Sequence, residues 1–169
     1  MTTITEGKVL PAVSVSSKGE LVETDGKIKA QPWSTASLAG RVRVVQHMAG
    51  RSAAKELNEA LIEALKKAEF PKDRYQTTTI INLNDAMIGT SGIVASKAES
   101  GKKEFPWSCV VLDAKGDVRK AWDLDKSSSA IAVLNADGEV LFFKDGALSA
   151  DEVTKVITLV EGELAAVSA

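Results

Sequence analysis

The sequence predicts an α/β fold: a central mixed β-sheet flanked by helices, with a β-hairpin at its N-terminal end. Three observations carry this expectation. Residues 41–49 are rich in β-branched side chains, end at Gly50, and precede an apolar helical stripe at Leu57, Ala60, Leu61, Ala64, Leu65 and Ala68. A second β-branched run covers 77–83, and strand, helix and strand joined this closely make a parallel, right-handed unit. Two later apolar runs, 108–118 and 129–140, each reach a polar turn with glycine where positive φ is needed.

Each element has its own local reason. Residues 1–30 read as an extended N-terminal segment, with Val9, Val13 and Val15 at the period of a half-buried strand. Ser16, Ser17, Lys18 and Gly19 signal a turn, after which Glu20, Leu21 and Val22 return as a second strand. Pro32 and Ser34 mark a loop. Ser52 is the expected N-cap of the first helix, its hydroxyl accepting from an orphaned backbone N–H, and Pro71 ends that helix's reach. Residues 89–92 read as a flexible loop before a second, more polar helix at about 93–104. The run 129–140 continues into Leu141, Phe142 and Phe143 as a hairpin. Ser149 and Glu152 form a capping box that opens a last helix with Val153, Val156, Ile157 and Val160 on its apolar face. No linker interrupts the chain, so 1–169 is expected to be a single domain with 1–30 as its N-terminal extension and hairpin.

Composition narrows the function classes. The chain has 169 residues, 44% hydrophobic and 26% charged, enough to bury a core without staples. Its 21 basic and 23 acidic residues are well mixed and give a net charge of −2, so the pattern does not support nucleic-acid binding. No apolar run reaches the roughly 18 residues of a transmembrane helix. The N-terminus has neither a cationic stretch nor an apolar core, so a secretion signal is not expected within this chain. Cys109 is the only cysteine and His47 the only histidine, which leaves no intrachain disulfide and no metal-ligand cluster. No phosphate-loop or dinucleotide motif is present, and no cofactor is expected.

The element order resembles a thioredoxin-like domain of the peroxiredoxin and thiol–disulfide oxidoreductase type. Three stretches carry the likeness: 38–45, which looks like the loop and apolar strand leading to the redox motif; 105–124, like the family's strand, Asp-x-x-Gly and helix; and 129–140, like the strand and hairpin after the family's cis-proline. A more specific resemblance, to the YtfJ family of bacterial envelope proteins, rests on 40–52, 73–80, 106–108 and 127–130. Precursors of that family carry secretion signals, so this resemblance implies a periplasmic protein.

The same resemblance exposes a missing site. In redox-active relatives a Cys-x-x-Cys opens the helix after the central strand, where the helix N-terminus lowers the first thiol's pKa and the second resolves the mixed disulfide. Matching strands without gaps places Ser52 and Lys55 at those two positions, and Ser129 where the cis-proline stands. Dithiol chemistry at this site is therefore excluded, and a redox-inactive binding or adaptor protein is the expected function. The alternative is an enzyme with altered chemistry at Ser52, or single-thiol chemistry at Cys109. A serine nucleophile needs a base, and His47 lies mid-strand, where a core role is expected. Cys109 beside Val110 and Val111 is expected to be a buried, inert thiol.

One polar constellation remains. Strand ends in open α/β sheets tend to hold ligands, and Arg51, Ser52 and Lys55 at a helix start favour an anion. Asn84 and Asp85 follow the neighbouring strand, and Ser129 ends the 127–129 serine run. The predicted ligand-binding set is Arg51, Ser52, Lys55, Asp85 and Ser129, the partner an unidentified protein or a small anionic ligand.

Overall fold

A computed structural model describes residues 2–87 and 89–168. Its sheet has seven strands in the order β2-β1-β5-β4-β3-β6-β7. The strands are β1 (Ser14–Thr24), β2 (Lys27–Ser34), β3 (Val42–Ala49), β4 (Tyr75–Asn82), β5 (Cys109–Asp113), β6 (Ser129–Leu134) and β7 (Val140–Asp145). Strands β3, β4 and β5 run parallel, and the pairs β1–β2, β1–β5, β3–β6 and β6–β7 are antiparallel. The helices are α1 (Ser52–Leu57), α2 (Glu59–Ala68), α3 (Ser91–Glu104), α4 (Asp117–Trp122) and α5 (Ala150–Ser168). The expected mixed sheet with flanking helices and an N-terminal hairpin is the architecture found.

The pleat divides the side chains between two faces. On one face Val42, Val44, Ile131 and Val133 pack with Leu61 and Leu65 of α2 and Val156 and Val160 of α5. Farther along that face, Ile81 and Leu112 meet Val94, Ala95 and Ala98 of α3. The opposite face buries Val45, Ile80, Cys109 and Val111 beneath Val118 and Trp122 of α4 and Trp33 of β2. Ile4 and Leu10 of the N-terminal segment complete this layer, and the Trp122 indole donates to the Pro11 carbonyl at 2.9 Å. The capping box at α5 forms as predicted: Glu152 N–H donates to Ser149 Oγ at 3.2 Å and Ser149 N–H to Glu152 Oε1 at 2.9 Å.

Several expectations need correction. Residues 16–19 do not turn the chain back. They form an irregularity inside one long strand, where the β1–β2 register shifts between Val15 and Glu20. The hairpin turns instead at Asp25 and Gly26, both with positive φ, the backbone that a two-residue turn between twisted strands requires. Pro32 and Ser34 lie in β2, not in a loop; an edge strand tolerates a residue without an N–H. Helix α3 begins at Ser91, so the latter half of the expected 89–92 loop is helical.

The first helix differs most. The chain breaks at Asn58 (φ −122°, ψ 23°) into α1 and α2. The inward positions are Ala54, Asn58, Leu61 and Leu65, whereas Leu57 is 39% exposed. A polar residue thus occupies the middle of the buried stripe. Ser52 is the first helical residue rather than the N-cap; Arg51 holds the cap position, with extended φ and ψ and no side-chain cap bond.

Gly19 tests the strand irregularity. Its φ is +103°, and a Cβ there would lie 2.0 Å from the Gln31 carbonyl oxygen, whereas Gly26 has φ +78° and open space around it. Gly26→Ala is expected to cost about 1 kcal/mol from left-handed backbone alone, and Gly19→Ala about 3 kcal/mol because the strands must also part. Urea unfolding of both variants checks this; equal losses would mean that β1 and β2 do not approach as described.

Candidate functional site

The carboxyl ends of β3 and β4 and the start of β6 converge where α1 begins, and the backbone there is tightly tied. Gly50 N–H donates to the Asn82 carbonyl at 3.0 Å and Ala49 N–H to the Ser128 carbonyl at 3.0 Å. Gly50 has a close-packing role, since a Cβ would sit 3.1 Å from the Asn82 oxygen and 3.4 Å from Val94.

Asn58 is the centre of this region. It is 2% exposed. Its Nδ2 donates to Ser129 Oγ at 2.9 Å, with the Ser129 and Gly146 carbonyl oxygens each at 3.2 Å. Its Oδ1 accepts from Leu148 N–H at 2.9 Å. Gln46 Nε2 also donates to Ser129 Oγ, at 3.0 Å. One side chain thus joins the α1–α2 break, the start of β6 and the segment leading to α5. All peptides of the described residues are trans, the one into Ser129 included. Asn58 and Gln46 were not singled out from the sequence. The available signal was Asn58's spacing, four residues after Ala54 and three before Leu61, which is an inward helical position.

The predicted ligand-binding residues fall into four separate settings. Arg51 and Asp85 meet: Nη2 lies 3.1 Å from Asp85 Oδ1, and Nε donates to the Asp85 carbonyl at 2.8 Å. The other carboxylate oxygen of Asp85 accepts from Ser127 N–H. Ser129 is fully buried and engaged with Asn58 and Gln46. Lys55 lines a different feature, a groove bordered by Gly89, Gly92 and Ile93. Ser52 is exposed at the start of a six-residue helix. The serine run is held at every residue, because Ser128 Oγ also donates to Asp145 at 2.7 Å.

His47 lies on the opposite face of the sheet from Asn58, 4% exposed, in edge contact with Trp122 at 6.4 Å between ring centroids. Its Nε2 has no hydrogen-bond partner among the described residues. Burial pulls its pKa down to about 4, with Asp113 opposing the shift. Asp113 is spent on structure: its two carboxylate oxygens accept from Gly116 N–H at 3.0 Å and Val118 N–H at 2.8 Å, which fixes the start of α4. Cys109 is buried, and desolvation, then Glu20, raise its pKa to about 11. A thiol held above its ordinary range supplies little thiolate near neutrality.

Fold and site together define a class: a thioredoxin-like domain with no cysteine pair at the start of its first helix. Solved structures agree on the fold. The thioredoxin domain of a thiol–disulfide oxidoreductase from Bacteroides vulgatus superposes with TM-score 0.59 at 15% identity, over 94% of this chain and 99% of that one. A thiol–disulfide isomerase from Corynebacterium glutamicum gives TM-score 0.56 at 16% identity, over 96% of each chain. Within that class the chain belongs to the YtfJ_HI0045 family of bacterial proteins of unknown function, whose model matches residues 4–163. Its relatives include the Escherichia coli K12 protein named uncharacterized protein YtfJ, 47% identical over 155 residues, covering 92% of this chain and 84% of that protein. A Haemophilus influenzae Rd protein is 50% identical over 153 residues, covering 90% and 83%. Among the described residues, no helix is long and apolar enough to cross a membrane.

Two predictions follow from these contacts. Asn58→Ala leaves the Leu148 N–H without its partner and Ser129 Oγ with Gln46 alone, and is expected to cost about 3 kcal/mol, whereas Ser52→Ala should change stability by less than about 0.5 kcal/mol. Chemical denaturation separates them, and a large Ser52→Ala loss would restore a capping role to that serine.

The second concerns pH. Unfolded His47 protonates near 6.5, while the native imidazole stays neutral down to about 4. The unfolded state therefore binds the proton first. His47's contribution to stability is unaffected above 6.5 and is lost as pH falls from 6.5 to 4, by up to about 3 kcal/mol. His47→Gln removes this titration, so its unfolding midpoint should fall less steeply over that window than the wild type's. Parallel curves would contradict the burial of a neutral imidazole.

Proposed function

We propose that this chain is a redox-inactive binding or adaptor protein of the bacterial periplasm, built on a thioredoxin fold whose former catalytic corner has become a structural joint. The observation that carries the reading is Ser52 and Lys55 at the two cysteine positions, beside Ser129 locked by Asn58. The dithiol mechanism needs an attacking and a resolving thiol, and neither position supplies one. The serine alternative lacks its base, because His47 faces Trp122 across the sheet. The single-thiol alternative would have to act through Cys109, which is buried with a raised pKa. Periplasmic residence rests on the secretion signals of the resembling YtfJ family.

The anion site takes a modified form in this reading. The guanidinium of Arg51 is engaged by the carboxylate of Asp85, so that carboxylate serves as the site's resident anion. A free anion has to displace a partner that is already tethered and also bonded to Ser127. Phosphate or acetate is therefore expected to move the amides of 50–55 only weakly in the wild type and more strongly in Asp85→Ala, as titration followed by NMR will show.

The redox reading is tested by insulin reduction with dithiothreitol or glutathione as electron source. Turbidity should develop at the uncatalysed rate for the wild type and for Cys109→Ser alike. Acceleration by the wild type that is lost in Cys109→Ser would replace this reading with single-thiol chemistry.

A further inference from the structure

A second feature lies on the helix-covered face, away from the Asn58 joint. Helix α2 covers the β3 and β6 end of that face, and α3 covers the β4 and β5 end. Strand β4 is the centre of the sheet, and its register puts Thr77 beside Val44 and Thr79 beside Gln46 on this face. Both threonines are only half-buried. Central parallel strands are normally sealed under helices and aliphatic; here two half-buried threonines take those places, Thr77 Oγ1 lying 2.7 Å from the Tyr75 hydroxyl.

A groove of about 780 Å³ runs between α1–α2 and α3, within the size range of pockets that hold small ligands or a few residues of peptide. Its charge is one-sided. Lys55, Lys66 and Lys97 line it against Glu104 alone, in a chain whose net charge is −2. Among the described residues, neither Lys55 nor Lys97 has a carboxylate within salt-bridge distance. Lys66 is shared with Glu63 at 3.6 Å and with the Phe105 ring at 4.7 Å. The α3 wall presents Gly92, Ser96 and Ser100, short side chains that let a second backbone come close, and Ile93, which is 59% exposed.

The groove ends at Phe105, with Trp107 packed behind it. Phe105 and Trp107 meet edge to face at 5.5 Å, and the Lys72 ammonium stands 3.6 Å above the Trp107 ring. Trp107 is 47% exposed. An apolar anchor beside unpaired lysines is complementary to carboxylates interspersed with an apolar side chain.

We propose that this groove docks a short acidic segment of a partner protein, its carboxylates on Lys55 and Lys97 and an apolar side chain toward Phe105. The proposal rests on the binding reading and gives it a surface, which shares Lys55 with the former redox corner but lies outside the buried Asn58–Ser129 joint. Loss of either leaves the other in place, because insulin reduction reads one and peptide binding the other.

The test is an amide-resolved NMR titration of the whole chain with an acetylated, amidated hexapeptide of alternating glutamate and leucine. Shifts should be confined to the neighbourhood of Lys55 and to 92–105, with an affinity on the order of 0.1 mM that weakens with salt. The double variant Lys55→Ala, Lys97→Ala should bind about tenfold more weakly at an unchanged melting temperature. A lysine–leucine peptide and free acetate should not reproduce the shifts. The proposal is overturned by any of four results: no response at about 5 mM peptide, equal response to the lysine peptide, equal response to acetate, or shifts centred on 50–52 and 127–129. Concentration-dependent shifts without peptide would assign the groove to a second copy of this chain and overturn it equally.

Discussion

The bond between the Asn58 amide and Ser129 is the contact on which this corner of the fold depends. Asn58 interrupts a helix, and a buried amide in an apolar stripe is costly unless its donors and acceptor are used. Here they are used on two separate segments: the start of β6, and the β7–α5 connection at Gly146 and Leu148. The break between α1 and α2 therefore has a physical partner rather than being a weak point in the helix. Ser129 accepts from Asn58 and Gln46 together, so its hydroxyl is committed to the interior.

The Arg51–Asp85 pair extends the same logic to the surface. Asp85 links Arg51 to Ser127, and Ser128 is held by Asp145. Three consecutive serines are thereby fixed from three directions. In a redox-active thioredoxin fold this corner must admit a substrate disulfide and change oxidation state. Here neither Ser52 nor Lys55 is a thiol, and internal hydrogen bonds occupy the corner. The proposed docking groove lies along the α3 side of α1–α2, where Lys55 and Lys97 have no carboxylate within salt-bridge distance among the described residues.

Much of the fold was legible in the sequence because its signals are local. The β-branched runs of β3 and β4, the capping box at Ser149 and Glu152, and the glycine turns at Gly116 and Gly138 each follow from a few adjacent residues. The errors came where a local signal had two meanings. Ser16 to Gly19 has turn composition, yet pairing with β2 and β5 on either side draws it into one strand. Ser52 has the right chemistry for an N-cap, but the helix starts one residue earlier in register. The site was less legible because its key residue is polar and inward. Asn58 reads as a surface position in any apolar count, and only its partners 71 to 90 residues away make it a core residue.

Native-state hydrogen exchange tests the closed corner most directly. Ser127 N–H and Leu148 N–H lie outside regular secondary structure, and their bonds go to the side chains of Asp85 and Asn58. A closed joint predicts that both amides exchange far more slowly than unprotected loop amides, and that Asp85→Ala and Asn58→Ala each release the matching one. Exchange of both at unprotected rates in the wild type would mean that the corner is open, and would contradict the account.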